Sequence, residues 1–170
     1  DSKGERTFLY LPGSNGELSE KDINWNVINE AKHVHIAGTF LMPSFDGKDT
    51  TKTLKKAKEM GKTTSMDTAW DQKGRWMNLI RPSLKYIDYF LPSYTEACVM
   101  VSEENPEKIC DIFLSEGVKM VGLKLGKNGC IIATKERKIR CAPFIVEEID
   151  STGAGDSWVG GFLTGLIKGW

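Results

Sequence analysis

The sequence is poor in the side chains that bind transition metals and staple small secreted folds. It has two histidines and four cysteines in 170 residues. Cys98, Cys110, Cys130 and Cys141 form no C-x-x-C pair, which argues against the common structural zinc sites. So few cysteines in a chain of this length also argue against a disulfide framework, and they read as reduced thiols of a cytoplasmic protein. An excess of either charge is lacking too, with 23 basic and 23 acidic side chains. A net charge of zero gives no general pull towards nucleic acid or an anionic membrane, so neither is expected as a partner. The densest basic cluster, Lys52, Lys55, Lys56 and Lys58, reads as the solvated face of a helix. No apolar run approaches the ~20 residues of a membrane span, no signal peptide is visible, and there are no repeats or low-complexity tracts.

What is present is ordinary for a globular chain: 40 % hydrophobic and 27 % charged residues, enough for one compact domain over residues 1–170. The chain opens on Asp1 and stops at Trp170 just after an amphipathic stretch, so both ends read as cut.

Strand and helix patterns alternate. Residues 7–11 read as a short strand. Ser19, with Asp22 in capping position, is expected to start a helix whose apolar stripe is Ile23, Val27, Ile28 and Ala31. Residues 33–37 read as a buried strand ending at Gly38. A helix is expected over 50–60, with Leu54 and Ala57 inward and Gly61 as its stop. Strands are expected at 63–67, 87–91 and 121–125. Helices are expected at 75–85, disturbed by Pro82, at 95–101, and from the Asn105-Pro106 cap to residue 116. Residues 129–134 and 138–142 read as a hairpin. From Trp158 to Ile167 apolar residues recur at helical spacing. Such alternation predicts an α/β fold, a mostly parallel sheet covered on both faces.

Four constellations could carry chemistry, and all lie at expected strand ends, where open α/β sheets place their ligands. The strongest is Asp150-Ser151-Thr152-Gly153-Ala154-Gly155-Asp156. Small residues there open a helix whose first N–H groups lack intrahelical partners and carry partial positive charge, which builds an anion hole for phosphate. Asp156 in the first turn either caps the helix dipole or accepts a proton from a hydroxyl attacking a phosphate. The loop is no dinucleotide fingerprint, because Trp158 stands where the third glycine belongs, and no Gly-Lys-Ser/Thr follows to make a phosphate loop of that type. The second is the run 122–129 with Lys124, Gly126 and Gly129, whose glycines either turn the chain or admit a flat ligand such as adenine. The third is Ser93 to Glu96, where a helix-start glutamate either caps or holds a metal-bound water. The fourth pairs Asp67 with Asp71 after a strand.

The run from Ile149 to Ser157 resembles the C-terminal signature of the ribokinase-like, PfkB-type carbohydrate kinases. In family order, Gly4-Glu5-Arg6-Thr7 looks like the lid-strand region, making residues 1–12 a lid-strand remnant. Residues 91–97 look like the N-x-x-E segment, with Ser93 in place of the asparagine, and 124–129 like the nucleotide loop.

The resemblance implies a three-layer α/β/α ribokinase-like (Rossmann-like) core lacking its N-terminal part, and ATP-dependent phosphorylation of a hydroxyl on a sugar-like small molecule. Asp156 would be the catalytic base and Gly153, Ala154 and Gly155 the anion hole. Lys124, Gly126, Gly129 and Ser93 would line the nucleotide, and Glu96 would act on Mg²⁺ through water. Asp150 and the Thr152 carbonyl match positions that bind a monovalent cation such as K⁺ in some members. A homodimer is the assembly expected of the parent. Members are longer at both ends, so these 170 residues are expected to hold part of the site. A silent ligand-binding or regulatory protein on the same fold, and a nicotinamide-dependent oxidoreductase, are the rival readings.

Overall fold

The computed structural model describes residues 9–147 and 149–170. The Gly4 to Thr7 lid-strand expectation lies outside them, and residues 9–12 form no strand.

Among the described residues, six strands form one sheet in the order of the chain. These are β1 (His33–Thr39), β2 (Thr63–Thr68), β3 (Tyr89–Phe90), β4 (Met120–Lys124), β5 (Cys130–Ala133) and β6 (Lys138–Cys141). The first four are parallel, and β5 and β6 turn back antiparallel as the expected hairpin. Between them run α2 (Lys48–Glu59), α3 (Trp76–Leu84), α4 (Tyr94–Val101) and α5 (Pro106–Ser115), with α1 (Trp25–Glu30) before and α6 (Ala154–Lys168) after.

Parallel strands laid down in chain order, joined by crossovers of one hand, put their helices on the same face. That face carries the core: Ile36, Met66, Phe90, Val121, Leu123 and Ile131 from the strands meet Leu54, Ile80, Leu84, Ile109 and Phe113 from the helices. Phe90 and Phe113 pack edge-on at 4.8 Å between ring centres. The intervening strand residues point to the opposite face, and α6 lies there. Tyr89 meets Phe162 of α6 at 6.0 Å. A side chain at Gly122 would begin 2.8 Å from the Trp158 ring. The three layers are therefore α2–α5, the sheet, and α6.

Local sequence explains most boundaries. Asn105 accepts hydrogen bonds from the N–H groups of Glu107 and Lys108, and Pro106 fills the first helical position, where a missing N–H costs nothing. Pro82 is housed inside α3.

Three expectations are corrected. Ser19 and Asp22 form their capping box, but it opens only a single 3₁₀ turn. Asn24 then caps α1 separately, accepting from Asn26 and Val27. The proposed stripe fails with it, since Val27 is 62 % exposed. Strand β1 is half-buried rather than buried, and it continues past Gly38 to Thr39 through a register irregularity.

Candidate active site

The loop before α6 turns on Gly153, which stands in the left-handed region at φ 78°. The Thr152 N–H donates to Asp150 Oδ1 at 2.8 Å, and the Ala154 N–H to the Ser151 carbonyl at 3.1 Å. The helix then begins at Ala154, as expected. Gly155 and Asp156 follow in its first turn, where helix geometry supplies no carbonyl for their N–H groups.

A cation faces this turn from the sheet surface under α6. Lys124 ends β4, and its Nζ lies 3.7 Å from where a side chain on Gly155 would begin. The Lys124 backbone is fixed by its N–H, which donates to the Pro92 carbonyl at 3.1 Å, and by a parallel bridge to Ser93. This brings the start of α4 beside the start of α6. Ser93 caps α4 reciprocally with Glu96. Glu96 Oε2 accepts from the Thr68 hydroxyl at 2.8 Å and from the Ser93 N–H at 3.3 Å. Burial raises the Glu96 carboxyl above the usual carboxylate range, while these bonds and the Lys124 charge pull it back.

The loop after β4 makes a 3₁₀ turn over Gly126–Asn128. Gly126 has positive φ and open space around it. Gly129 is required by the fold, because a side chain there would meet the Cys141 carbonyl at 1.9 Å. Beside this turn lies a groove of about 630 Å³, lined by Tyr94, Pro106, Leu125, Lys127, Asn128, Arg140 and Cys141.

The two aspartates after β2 part company. Asp71 is a cap, accepting from the N–H groups of Lys73 and Trp76 and pairing with the Arg75 guanidinium at 3.1 Å. Asp67 belongs to the site. It is buried, takes the Gly38 N–H at 2.7 Å, and stands 4.0 Å from His35 Nε2. Burial raises its carboxyl, and it feels both the Lys124 and Asp156 charges.

Behind Asp67 runs a polar chain between β1 and β2. His35 Nδ1 and His33 Nε2 both lie 2.7 Å from the Ser65 hydroxyl, and His33 Nδ1 lies 2.8 Å from Thr63 Oγ1. Burial lowers both imidazoles below the ordinary histidine range. The visible signal was the polar alternation of His33, His35, Ser65 and Asp67, the wrong character for an apolar sheet face.

Lys124, Gly155, Asp156, Asp67 and Glu96 thus gather at the carboxyl ends of the parallel strands, with His35 behind Asp67. A cation, a helix start and carboxylates can hold a polyanion and a divalent ion beside it, and can supply a proton acceptor. Trp158, which breaks the dinucleotide pattern, stacks on Phe162 at 5.3 Å.

Comparison with known proteins identifies the family and the fold. The family model described as pfkB family carbohydrate kinase matches residues 1–170. An uncharacterised sugar kinase of Archaeoglobus fulgidus is 28 % identical over 169 residues, covering 99 % of this chain and 66 % of that protein. The ribokinase of Staphylococcus aureus is 29 % identical over 175 residues, covering 99 % of this chain and 54 % of that protein. Among solved structures, a Thermotoga maritima ribokinase superposes with TM-score 0.80 at 29 % identity, covering 99 % of this chain and 54 % of that one. A putative ribokinase II of Escherichia coli in complex with ATP and Mg²⁺ gives 0.75 at 25 % identity, covering 91 % and 52 %. The chain therefore spans about half to two thirds of the length of these relatives. No helix among the described residues is long and apolar enough to cross a membrane.

Proposed function

Because this chain belongs to the pfkB family of carbohydrate kinases, we propose that its protein transfers the γ-phosphate of ATP to a hydroxyl of a sugar or sugar-like molecule, with Asp156 as the base. The observation that carries the reading is the approach of Lys124 Nζ to Gly155, at the positive start of α6 and one residue before Asp156.

Phosphoryl transfer asks a protein mainly for positioning and charge neutralisation. The first N–H groups of α6, around Gly153, Ala154 and Gly155, and the Lys124 ammonium would hold the phosphate oxygens. Asp156 would take the proton of the acceptor hydroxyl as its oxygen bonds to the γ-phosphorus and the bond to the β-phosphate oxygen breaks. The groove beside Gly126 and Asn128 suits the nucleoside end of ATP, and Ser93, next in the chain to its lining residue Tyr94, is proposed to contribute to nucleotide binding.

Glu96 fits a role beside Mg²⁺. The Thr68 hydroxyl and the Ser93 N–H both donate to Oε2, which holds the carboxylate in place. The ion, when bound, would neutralise charge on the phosphates, and Glu96 would orient one of its waters. Asp150 and the Thr152 carbonyl, at the turn before α6, are proposed for a monovalent cation such as K⁺.

The test is a panel of sugars and related alcohols offered with ATP to the full-length protein and to Asp156→Asn. A phosphorylated product from wild type, with the rate falling ~10²–10⁴-fold in the variant, is expected for a lost general base. Transfer undiminished by Asp156→Asn would overturn the base assignment.

A further inference from the structure

Cys130 and Cys141 stand directly opposite one another across β5 and β6. Residues so opposed in an antiparallel ladder have α-carbons about 4.5–5.5 Å apart, inside the ~4.4–6.8 Å range that a disulfide spans. As directly opposed residues their side chains project on the same face of the hairpin, close enough for each thiol to act on the other's charge, with the Trp158 indole beside the Cys130 sulfur. The two differ in access. Cys130 is buried at 8 % exposure, while Cys141 is exposed in the wall of the groove beside Asn128.

That asymmetry gives the pair a division of labour. An exposed thiol meets a reagent first, and a sheltered neighbour can only react with what the first has captured. Burial raises the Cys130 thiol, and the Trp158 hydrogen bond lowers it in part. The remaining cysteines lack such an arrangement. Cys110 is buried on α5, with its thiol pushed up to about 11, and Cys98 is half-buried on α4.

We propose that Cys130 and Cys141 form a reversible disulfide by exchange with a low-molecular-weight disulfide of the glutathione class. The Cys141 thiolate attacks one sulfur of the reagent, the reagent's S–S bond breaks, and one thiolate leaves. The Cys130 thiolate then attacks the Cys141 sulfur of the mixed disulfide, and the second thiolate leaves. Two protein thiols are oxidised to one disulfide, one reagent disulfide is reduced to two thiols, and the protons end on those thiols. The bond joins the end of β6 to β5 one ladder position from Lys124, which pairs with Cys130 on its other side. It also forms part of the groove wall. Nothing in the exchange depends on the kinase reading.

The experiment treats the reduced full-length protein with oxidised glutathione, blocks remaining thiols under denaturing conditions, and reads intact mass and linked peptides. Expected is a species lighter by two hydrogens before blocking, with Cys130 and Cys141 joined within one chain, both protected from blocking, and restored by dithiothreitol. In Cys130→Ser, glutathione should stay attached to Cys141 as a lasting adduct. In Cys141→Ser, Cys130 should remain a free thiol. Wild type that holds glutathione on Cys141 without closing the internal bond would overturn the proposal. So would linkage between chains, or a Cys130 that reacts equally in Cys141→Ser.

Discussion

The Thr68 hydroxyl donates a 2.8 Å hydrogen bond to Glu96 Oε2, tying the end of β2 to the first turn of α4. The same oxygen accepts the Ser93 N–H that closes the cap, so one carboxylate serves the fold and faces the site. The two roles separate by substitution. Glu96→Gln keeps an oxygen for both bonds and removes the charge. It should leave the melting temperature nearly unchanged and raise the Mg²⁺ concentration for half-maximal activity by about 10–100-fold, the usual cost of losing a group that orients a metal's shell. Glu96→Ala should in addition lose about 1 kcal/mol of capping, or ~3 °C. An unchanged Mg²⁺ dependence in Glu96→Gln would leave Glu96 as a cap alone.

Gly155 offers a sharper probe of the anion hole. A methyl there would stand 3.7 Å from Lys124 Nζ, an ordinary contact. Gly155→Ala should therefore fold, helped slightly by alanine's better helix propensity. It would nevertheless fill the space between the ammonium and the helix start, where the phosphate is proposed to sit. We expect kcat/KM for ATP to fall at least ~10-fold, approaching the ~10²–10³-fold seen when a preorganised donor is lost. Lys124→Met should fall further, without a compensating gain in stability. Equal kcat/KM for wild type and Gly155→Ala would place the phosphate elsewhere.

Much of this was legible in the sequence, and what was not shares a physical cause. Alternating patterns, the Asn105-Pro106 cap and the small residues before Ala154 are local signals, decided within a few residues. Ser19 and Asp22 failed as a long-helix signal because Asn24, also local, made a second cap and restarted the helix. The contacts that build the site join distant residues. Lys124 meets Gly155 only because α6 returns over β4, and the His33–Ser65–His35 chain exists only because β1 and β2 pair in one register. A one-residue slip would turn those side chains to the other face. The family was readable from the run around the α6 loop, while the meeting of Lys124 with that loop required the sheet.

His33 sets a pH limit on stability. Its imidazole is held below the ordinary histidine range, first by burial and then by the His35 charge; Lys58 pushes the same way, and Asp88 opposes. A folded value below the unfolded one, ~6.5, means the unfolded chain binds more protons as pH falls. Stability is therefore full above about pH 6.5 and is lost as pH drops through the folded value. His33→Gln can keep bonds to Thr63 and Ser65 while removing the titration. Urea midpoints measured between about pH 7.5 and 5 should fall less steeply in His33→Gln than in wild type. Asp67 is raised by burial, so its contribution runs the opposite way at lower pH, and the comparison rests on the difference between the two slopes. Identical slopes would remove His33 as their source.

Gly122 couples the sheet to the helix that carries Asp156. A side chain there would begin 2.8 Å from Leu91 Cδ2 and 2.8 Å from Trp158 Cη2, closer than carbons pack. Leu91 is fully buried and has little room to yield. Trp158 is stacked on Phe162, which itself packs on Tyr89, so displacing the indole moves α6 as a body. Overpacking of this kind costs about 1–3 kcal/mol, against which alanine recovers ~0.5–1 kcal/mol relative to glycine in a strand. The net of roughly 0–2.5 kcal/mol should lower the melting temperature of Gly122→Ala by up to about 7 °C, on the order of 3 °C per kcal/mol for a chain of this size. Its larger effect should be on kcat, because Trp158 lies two residues beyond Asp156 on the same helix. The two effects have a common origin if a smaller ring relieves both. Adding Trp158→Phe to Gly122→Ala should recover stability and rate together, with a coupling energy above ~0.5 kcal/mol in a double-mutant cycle. Strict additivity of the two substitutions would show that α6 is not seated on Gly122.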